Sequence, residues 1–197
     1  DRLADDEIMA FLFLMVVAGN ETTTKLLGNA LYWGARNPDQ LAGVFGDHSL
    51  IPLWVEETLR YDTSSQILAR EVSTDIEFHG TELKAGEKIM LMFESANFDE
   101  AVVGDPENFR IDRDPNSHLA FGFGTHFCMG NQLARLELKL MLSRVIARMP
   151  DLRLADASAR PALRAANFAS GLEAMPVLFS PGPRVLGGGA GWGGTPA

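Results

Sequence analysis

The run from Phe121 to Gly130, Phe-Gly-Phe-Gly-Thr-His-Phe-Cys-Met-Gly, constrains this chain more than any other stretch. It holds the only cysteine, Cys128, with two glycines before it and one two residues after it. A helical run, Gln132 to Leu138, follows at once. A lone cysteine on a glycine-shaped loop at the start of a helix is what a haem iron requires of a sulfur axial ligand. The glycines let backbone approach a flat group and adopt positive φ. They also free N–H groups to point at the sulfur. The helix N-terminus adds positive potential that suits a thiolate. A buried free thiol is the common fate of an isolated cysteine. Five fixed positions (Phe, Gly, His, Cys, Gly), at about one chance in twenty each, weigh against it here.

Composition narrows the classes. At 197 residues with 46% hydrophobic content, the chain can bury one ordinary core. A net charge of −9 gives no support to nucleic-acid binding. A single cysteine excludes an internal disulfide. The opening Asp1 to Glu7 is not a signal peptide, so the expected location is cytoplasmic. The apolar run Ile8 to Ala18 is too short to span a bilayer, so no transmembrane segment is expected. It is apolar nearly all round and expects neighbours on every side.

The pattern predicts a helix from an Asp5 or Asp6 cap to about Arg36, then a second from Pro38 to about Gly46. A third, capped by Ser49, runs from about Pro52 to Tyr61. Short strands follow at Ile67 to Val72, Ile76 to Phe78 and Lys88 to Phe93. Phe98 to Ala120 lacks a period and is a long ordered loop, which usually means function. A helix from Gly130 to about Met149 carries apolar residues at 133, 136, 140 and 142. Phe168 to Leu172 and Met175 to Phe179 are expected to pair about a turn. From Pro181 the chain is rich in Gly and Pro, so residues 181–197 are expected to be a disordered tail.

Two further motifs stand out. Ala18-Gly19-Asn20-Glu21-Thr22-Thr23 interrupts the first helix with hydroxyls that compete for backbone carbonyls, a pattern that kinks helices or ends them. Glu57-Thr58-Leu59-Arg60 is an acid–base pair at i, i+3, by itself ordinary helix decoration.

Together these segments resemble the cytochrome P450 family. Phe121, Gly124, Cys128 and Gly130 match its haem-binding signature F-x-x-G-x-x-x-C-x-G, in the form of the soluble bacterial branch. The resemblance covers about Asp5 to Phe179. It implies a mainly α fold with small β-sheets (α+β), with residues 1–180 forming the C-terminal half of a single domain. Intact members are roughly twice this length, so the N-terminal half is expected to be absent. Exposed apolar surface then follows.

The resemblance also assigns roles. Cys128 becomes the proximal ligand of haem b. Phe121, Gly122, His126 and Gly130 belong to the same cofactor loop, with His126 and the strand residue Arg70 facing haem propionates. Glu21 and Thr22 become an acid–alcohol pair that manages protons over the distal face. Asn20 stands where many bacterial members have His. Glu57 and Arg60, with Arg113 as third member, form a buried structural network. Asn97-Phe98-Asp99 departs from the usual Asn-Arg-Asp, which puts local packing there in question. Val17, Ser65 and Phe168 line the substrate pocket.

The implied activity is haem-thiolate monooxygenation of a hydrophobic small molecule. Electrons would come from a ferredoxin with its reductase or a similar donor. Arg135, Lys139 and Arg144 either offer that donor a basic patch or form a solvated helix face. The alternatives are a haem-thiolate peroxygenase or isomerase, and a truncated, non-catalytic fragment unable to hold haem.

Overall fold

The computed structural model describes residues 2–159, 161–163 and 169–181. Phe168 and residues 182–197, which hold one expected pocket residue and nearly all of the expected disordered tail, lie outside the described residues.

Helix α1 runs unbroken from Asp5 to Arg36. Its N-cap is Ala4, whose N–H donates to the Glu7 carboxylate at 2.8 Å. Asp5 and Asp6 are therefore first-turn acids that suit the helix dipole rather than caps. The expected kink does not interrupt the helix. Asn20, Thr22 and Thr24 instead bond back to the carbonyls of Val16, Ala18 and Asn20. Helix α2 spans Pro38–Gly46 and α3 spans Ile51–Tyr61. Ser49 does not cap α3. It lies in a 3₁₀ turn, His48–Leu50, where its N–H donates to Asp47.

The core forms where α1, α2, α3 and a later helix, α5 (Asn131–Arg148), meet. Helix α3 buries Ile51, Trp54, Val55, Thr58 and Leu59, the i, i+3, i+4, i+7, i+8 stripe of an amphipathic helix. Trp54 donates its indole N–H to the Ala30 carbonyl at 3.1 Å. Its ring lies so close to α1 that a Cβ on Gly34 would stand 2.6 Å from it. Helix α5 buries Leu138, Leu142 and Ile146, each worth roughly 2 kcal/mol relative to exposure. Of the positions expected to be apolar contacts on this helix, Leu142 is buried, while Leu133, Leu136 and Leu140 face outward.

The described residues form three two-stranded antiparallel sheets. Strand β1 (Ile67–Glu71) pairs with β4 (Lys88–Met92), setting Arg70 opposite Ile89. Between them, β2 (Ile76–Phe78) and β3 (Thr81–Leu83) form a hairpin. His79 and Gly80 turn it with φ of 48° and 78°, the geometry a two-residue hairpin needs. A single helical turn, α4 (Phe93–Ala96), then leads into the long loop. No helix or strand interrupts it before Gly124. Gln40 fastens this loop by donating to the Phe109 carbonyl and accepting from the Ile111 N–H, both at 2.8 Å.

The last sheet corrects the expected C-terminal hairpin. Strand β6 (Val177–Leu178) pairs with β5 (Arg153–Leu154), and Leu172 bridges to Leu163. Gly171 is small because α1 passes close to it. A Cβ there would meet Lys25 Cγ at 2.6 Å.

Ile8, Met9, Phe11 to Val16 on α1 are exposed, as expected for a helix made to be surrounded.

Candidate functional site

Cys128 sits half-buried just before α5. Its N–H donates to the Phe121 carbonyl at 2.9 Å, closing the loop on itself. Gly122 and Gly124 take φ of 73° and 69°, where L side chains are strained. The carbonyl of Cys128 accepts from both the backbone and the side chain of Asn131, at 3.3 and 2.7 Å. The sulfur is thus carried by a loop tied down on both flanks. Phe123, Phe127 and Met129 expose apolar surface around it, and His126 is exposed at the end of a 3₁₀ turn. Gly130 is close by, its Cβ position 4.0 Å from the sulfur.

A buried ionic network ties α3 to the long loop that precedes the cysteine loop. Arg60 grips Glu57 with Nε at 2.9 Å and Nη2 at 2.8 Å, both side chains fully buried. Arg113 adds its Nε at 3.1 Å, and Asn116 and the Arg110 N–H complete the carboxylate's partners. The remaining guanidinium donors of Arg60 and Arg113 meet the carbonyls of Asn97, Gly104, Asp105 and Asn108. Where the motif departs from the common pattern, the Phe98 ring lies 5.3 Å from the Arg60 guanidinium, a cation–π contact that fills the position.

A second cluster was missed by sequence reasoning. Glu56 accepts from Arg135 at 2.6 and 2.9 Å and from His118 Nε2 at 3.0 Å. Burial raises the Glu56 carboxyl, but the Arg135 and His118 hydrogen bonds and charges outweigh it and hold it at about 2. Hydrogen bonds to Glu56, opposed by burial, hold Arg135 above its ordinary range, and the nearby Cys128 adds to that shift. Arg135 is therefore an anchored cation, not a free member of a surface patch with Lys139 and Arg144. No local signal links residues 56, 118 and 135.

On α1, Thr22 donates its hydroxyl proton to the Ala18 carbonyl at 2.7 Å. Glu21 is half-exposed, with Oε1 held by Lys25 at 3.0 Å. Lys25 also donates to the Ala169 carbonyl at 2.5 Å, and Ser170 donates its N–H to the Ser64 carbonyl at 2.7 Å. Helix α1, the loop carrying Ser65 and the segment after Phe168 are thereby joined. Val17 is half-buried on the same helix. Arg70 is half-buried on β1 and donates to the Ala69 carbonyl, with no acidic partner among the described residues.

These features have counterparts in known proteins. A cytochrome P450 family model matches residues 49–149. The steroid C26-monooxygenase of Mycolicibacterium smegmatis is 57% identical over 94% of this chain and 46% of its own length. The chain belongs to the cytochrome P450 family. A second relative of the same name, from Mycobacterium tuberculosis, is 56% identical over 93% of this chain and 49% of itself. The crystal structure of CYP109E1 from Bacillus megaterium in complex with testosterone superposes with a TM-score of 0.84 at 38% identity, over 91% of this chain and 49% of that one. The chain thus spans about half the length of the curated relatives it matches, and its helix-rich fold with small sheets is a partial P450 fold.

Membership implies a haem, and the donor set fits one. No cluster of three or more His, Cys, Asp or Glu able to hold a bare ion exists among the described residues. A single thiol with open apolar surface around it suits a metal whose other ligands would arrive with an organic ring. No helix among the described residues is long and apolar enough to cross a membrane.

Proposed function

We propose that the protein is a haem-thiolate monooxygenase that inserts one oxygen atom of O₂ into a C–H bond of a hydrophobic molecule, with a steroid skeleton the favoured class. The observation that carries this reading is Cys128, the lone thiol, held at Phe121 on a loop with two left-handed glycines at the mouth of α5. The steroid class is supported by relatives more than half identical to this chain that are named steroid C26-monooxygenases.

In this reading Cys128 ligates haem b, which supplies the oxygen-activating chemistry when bound. Phe121, Gly122 and Gly130 shape the loop so that a flat group can approach the sulfur. Arg70 and His126 offer donors to its carboxylates. Glu21, with Oε1 fixed by Lys25, presents its other oxygen to solvent and takes up protons there. Thr22 gives its own proton to Ala18, so its oxygen lone pairs accept a hydrogen bond from a water that Glu21 can feed. Val17, Ser65 and Phe168 bound the hydrophobic substrate. Glu57, Arg60 and Arg113 hold the long loop beneath the cysteine loop. Lys139 and Arg144, both exposed, face a ferredoxin-type electron donor in the cytoplasm.

The test is turnover of a steroid with reduced ferredoxin and its reductase. A product carrying one added oxygen supports the reading. Equal turnover with hydrogen peroxide and no donor makes it a peroxygenase, and a rearranged product with no added oxygen makes it an isomerase. The exposed apolar surface of Phe11, Phe13 and Val16 favours a second reading for this stretch of chain alone, that it holds no haem by itself. The haem-to-protein ratio of the purified chain decides between them.

A further inference from the structure

Arg135 stands in an unusual position. Its guanidinium carbon lies 4.6 Å from the centroid of the Phe121 ring, and the carbonyl of that same Phe121 receives the Cys128 N–H at 2.9 Å. The cation therefore rests on the residue that fixes the backbone of Cys128. It does not reach this place freely. Glu56 holds it through two hydrogen bonds, at 2.6 and 2.9 Å, and Asn131 Oδ1 accepts a third at 3.0 Å. Glu56 is in turn fixed by His118, whose side chain is 5% exposed. The Ala120 N–H donates to His118 Nδ1 at 3.3 Å, which leaves Nε2 to donate to Glu56 at 3.0 Å. The chain of contacts runs from the backbone of the long loop through His118, Glu56 and Arg135 to the Phe121 ring.

We propose that Glu56 and His118 are positioning residues that hold Arg135 as a fixed cation against the Cys128 loop, raising the reduction potential of the iron that Cys128 ligates. The proposal rests on the haem-thiolate reading. Its physics is simple. Reduction adds negative charge at the iron, and a positive charge held nearby in a partly buried place favours the more negative state. An exposed, mobile arginine would be screened by solvent and do little. A bidentate grip by a carboxylate and stacking on an aromatic face, both uses to which a guanidinium is suited, keep it in place.

The test compares Arg135→Gln, Arg135→Lys and His118→Phe in the haem-loaded protein by spectroscopic redox titration. Arg135→Gln lowers the one-electron reduction equilibrium constant by about threefold or more. Arg135→Lys keeps most of it, and His118→Phe, which leaves Arg135 in place but removes a hydrogen bond from its anchor Glu56, gives a smaller shift in the same direction. A second readout needs no haem. Cys128 is the only cysteine, so the rate at which a neutral reagent alkylates it reports the same local field. That rate falls in Arg135→Gln and holds in Arg135→Lys. If Arg135→Gln leaves both the potential and the alkylation rate unchanged while the reduced carbon-monoxide band keeps its thiolate position, the proposal is wrong and the haem reading stands. A haem-loaded protein whose band lacks the thiolate shift overturns both.

Discussion

Arg113 reaches Glu57 across 56 positions of sequence, Nε to Oε2 at 3.1 Å, and meets a carboxylate already gripped by Arg60 one turn along the same helix. The Glu57 side chain has no solvent exposure. One carboxylate thus serves two guanidinium groups, a backbone N–H and an amide, and ties α3 to the loop that precedes Cys128.

Glu57→Ala leaves Arg60 and Arg113 buried with no counter-charge. Breaking a buried pair in this way costs about 3–5 kcal/mol. Denaturant unfolding of the chain is expected to show a loss of that size, or no cooperative transition at all. A loss under about 1 kcal/mol contradicts the structural role.

How far this arrangement was legible in the sequence differs from residue to residue. Glu57 and Arg60 are three apart on one helix and could be paired by inspection, and the glycine spacing around Cys128 could be matched directly. Arg113 required a resemblance, because nothing local ties it to residue 57. Glu56, His118 and Arg135 were invisible as a cluster, since their partners lie 62 and 79 positions away. The same limit explains the helix faces. Leu133, Leu136 and Leu140 are as apolar as Leu138 and Ile146, and only packing against α1 and α3 decides which stripe turns inward. Nothing local marks Gly171 either, since its missing side chain answers to the stem of Lys25, 146 residues earlier in the chain.

Glu56 makes stability depend on acid pH. Its folded carboxyl sits at about 2 against an ordinary 4.5, so the group contributes stability above the unfolded value and loses it as pH falls from about 4.5 toward about 2. Partial solvent access reduces the size of the effect. Urea midpoints measured down this window are expected to fall less steeply in Glu56→Gln than in the unsubstituted chain. Parallel profiles contradict the assignment.

Gly34→Ala puts a methyl 2.6 Å from the Trp54 ring, with Leu41 behind it at 3.3 Å. Helix propensity alone favours alanine by about 1 kcal/mol. Overpacking against a fully buried indole outweighs that gain, for a net loss of about 1–2 kcal/mol. A thermal melt with tryptophan fluorescence checks it, and a raised Tm contradicts the close approach of α1 and α3.

Thr22→Ala in the haem-loaded enzyme removes a hydroxyl without touching Cys128. Reductant consumption is expected to continue while hydrogen peroxide accumulates in place of oxygenated product. Product formed one-for-one with reductant consumed in that variant removes Thr22 from the proton path.

The most direct test is a reduced carbon-monoxide difference spectrum of the protein supplied with haemin, beside Cys128→Ser. The account predicts the red-shifted Soret band of a thiolate-ligated haem in the unsubstituted protein and its loss in Cys128→Ser. The same band in both proteins contradicts Cys128 as the ligand, and with it the reading of the whole site.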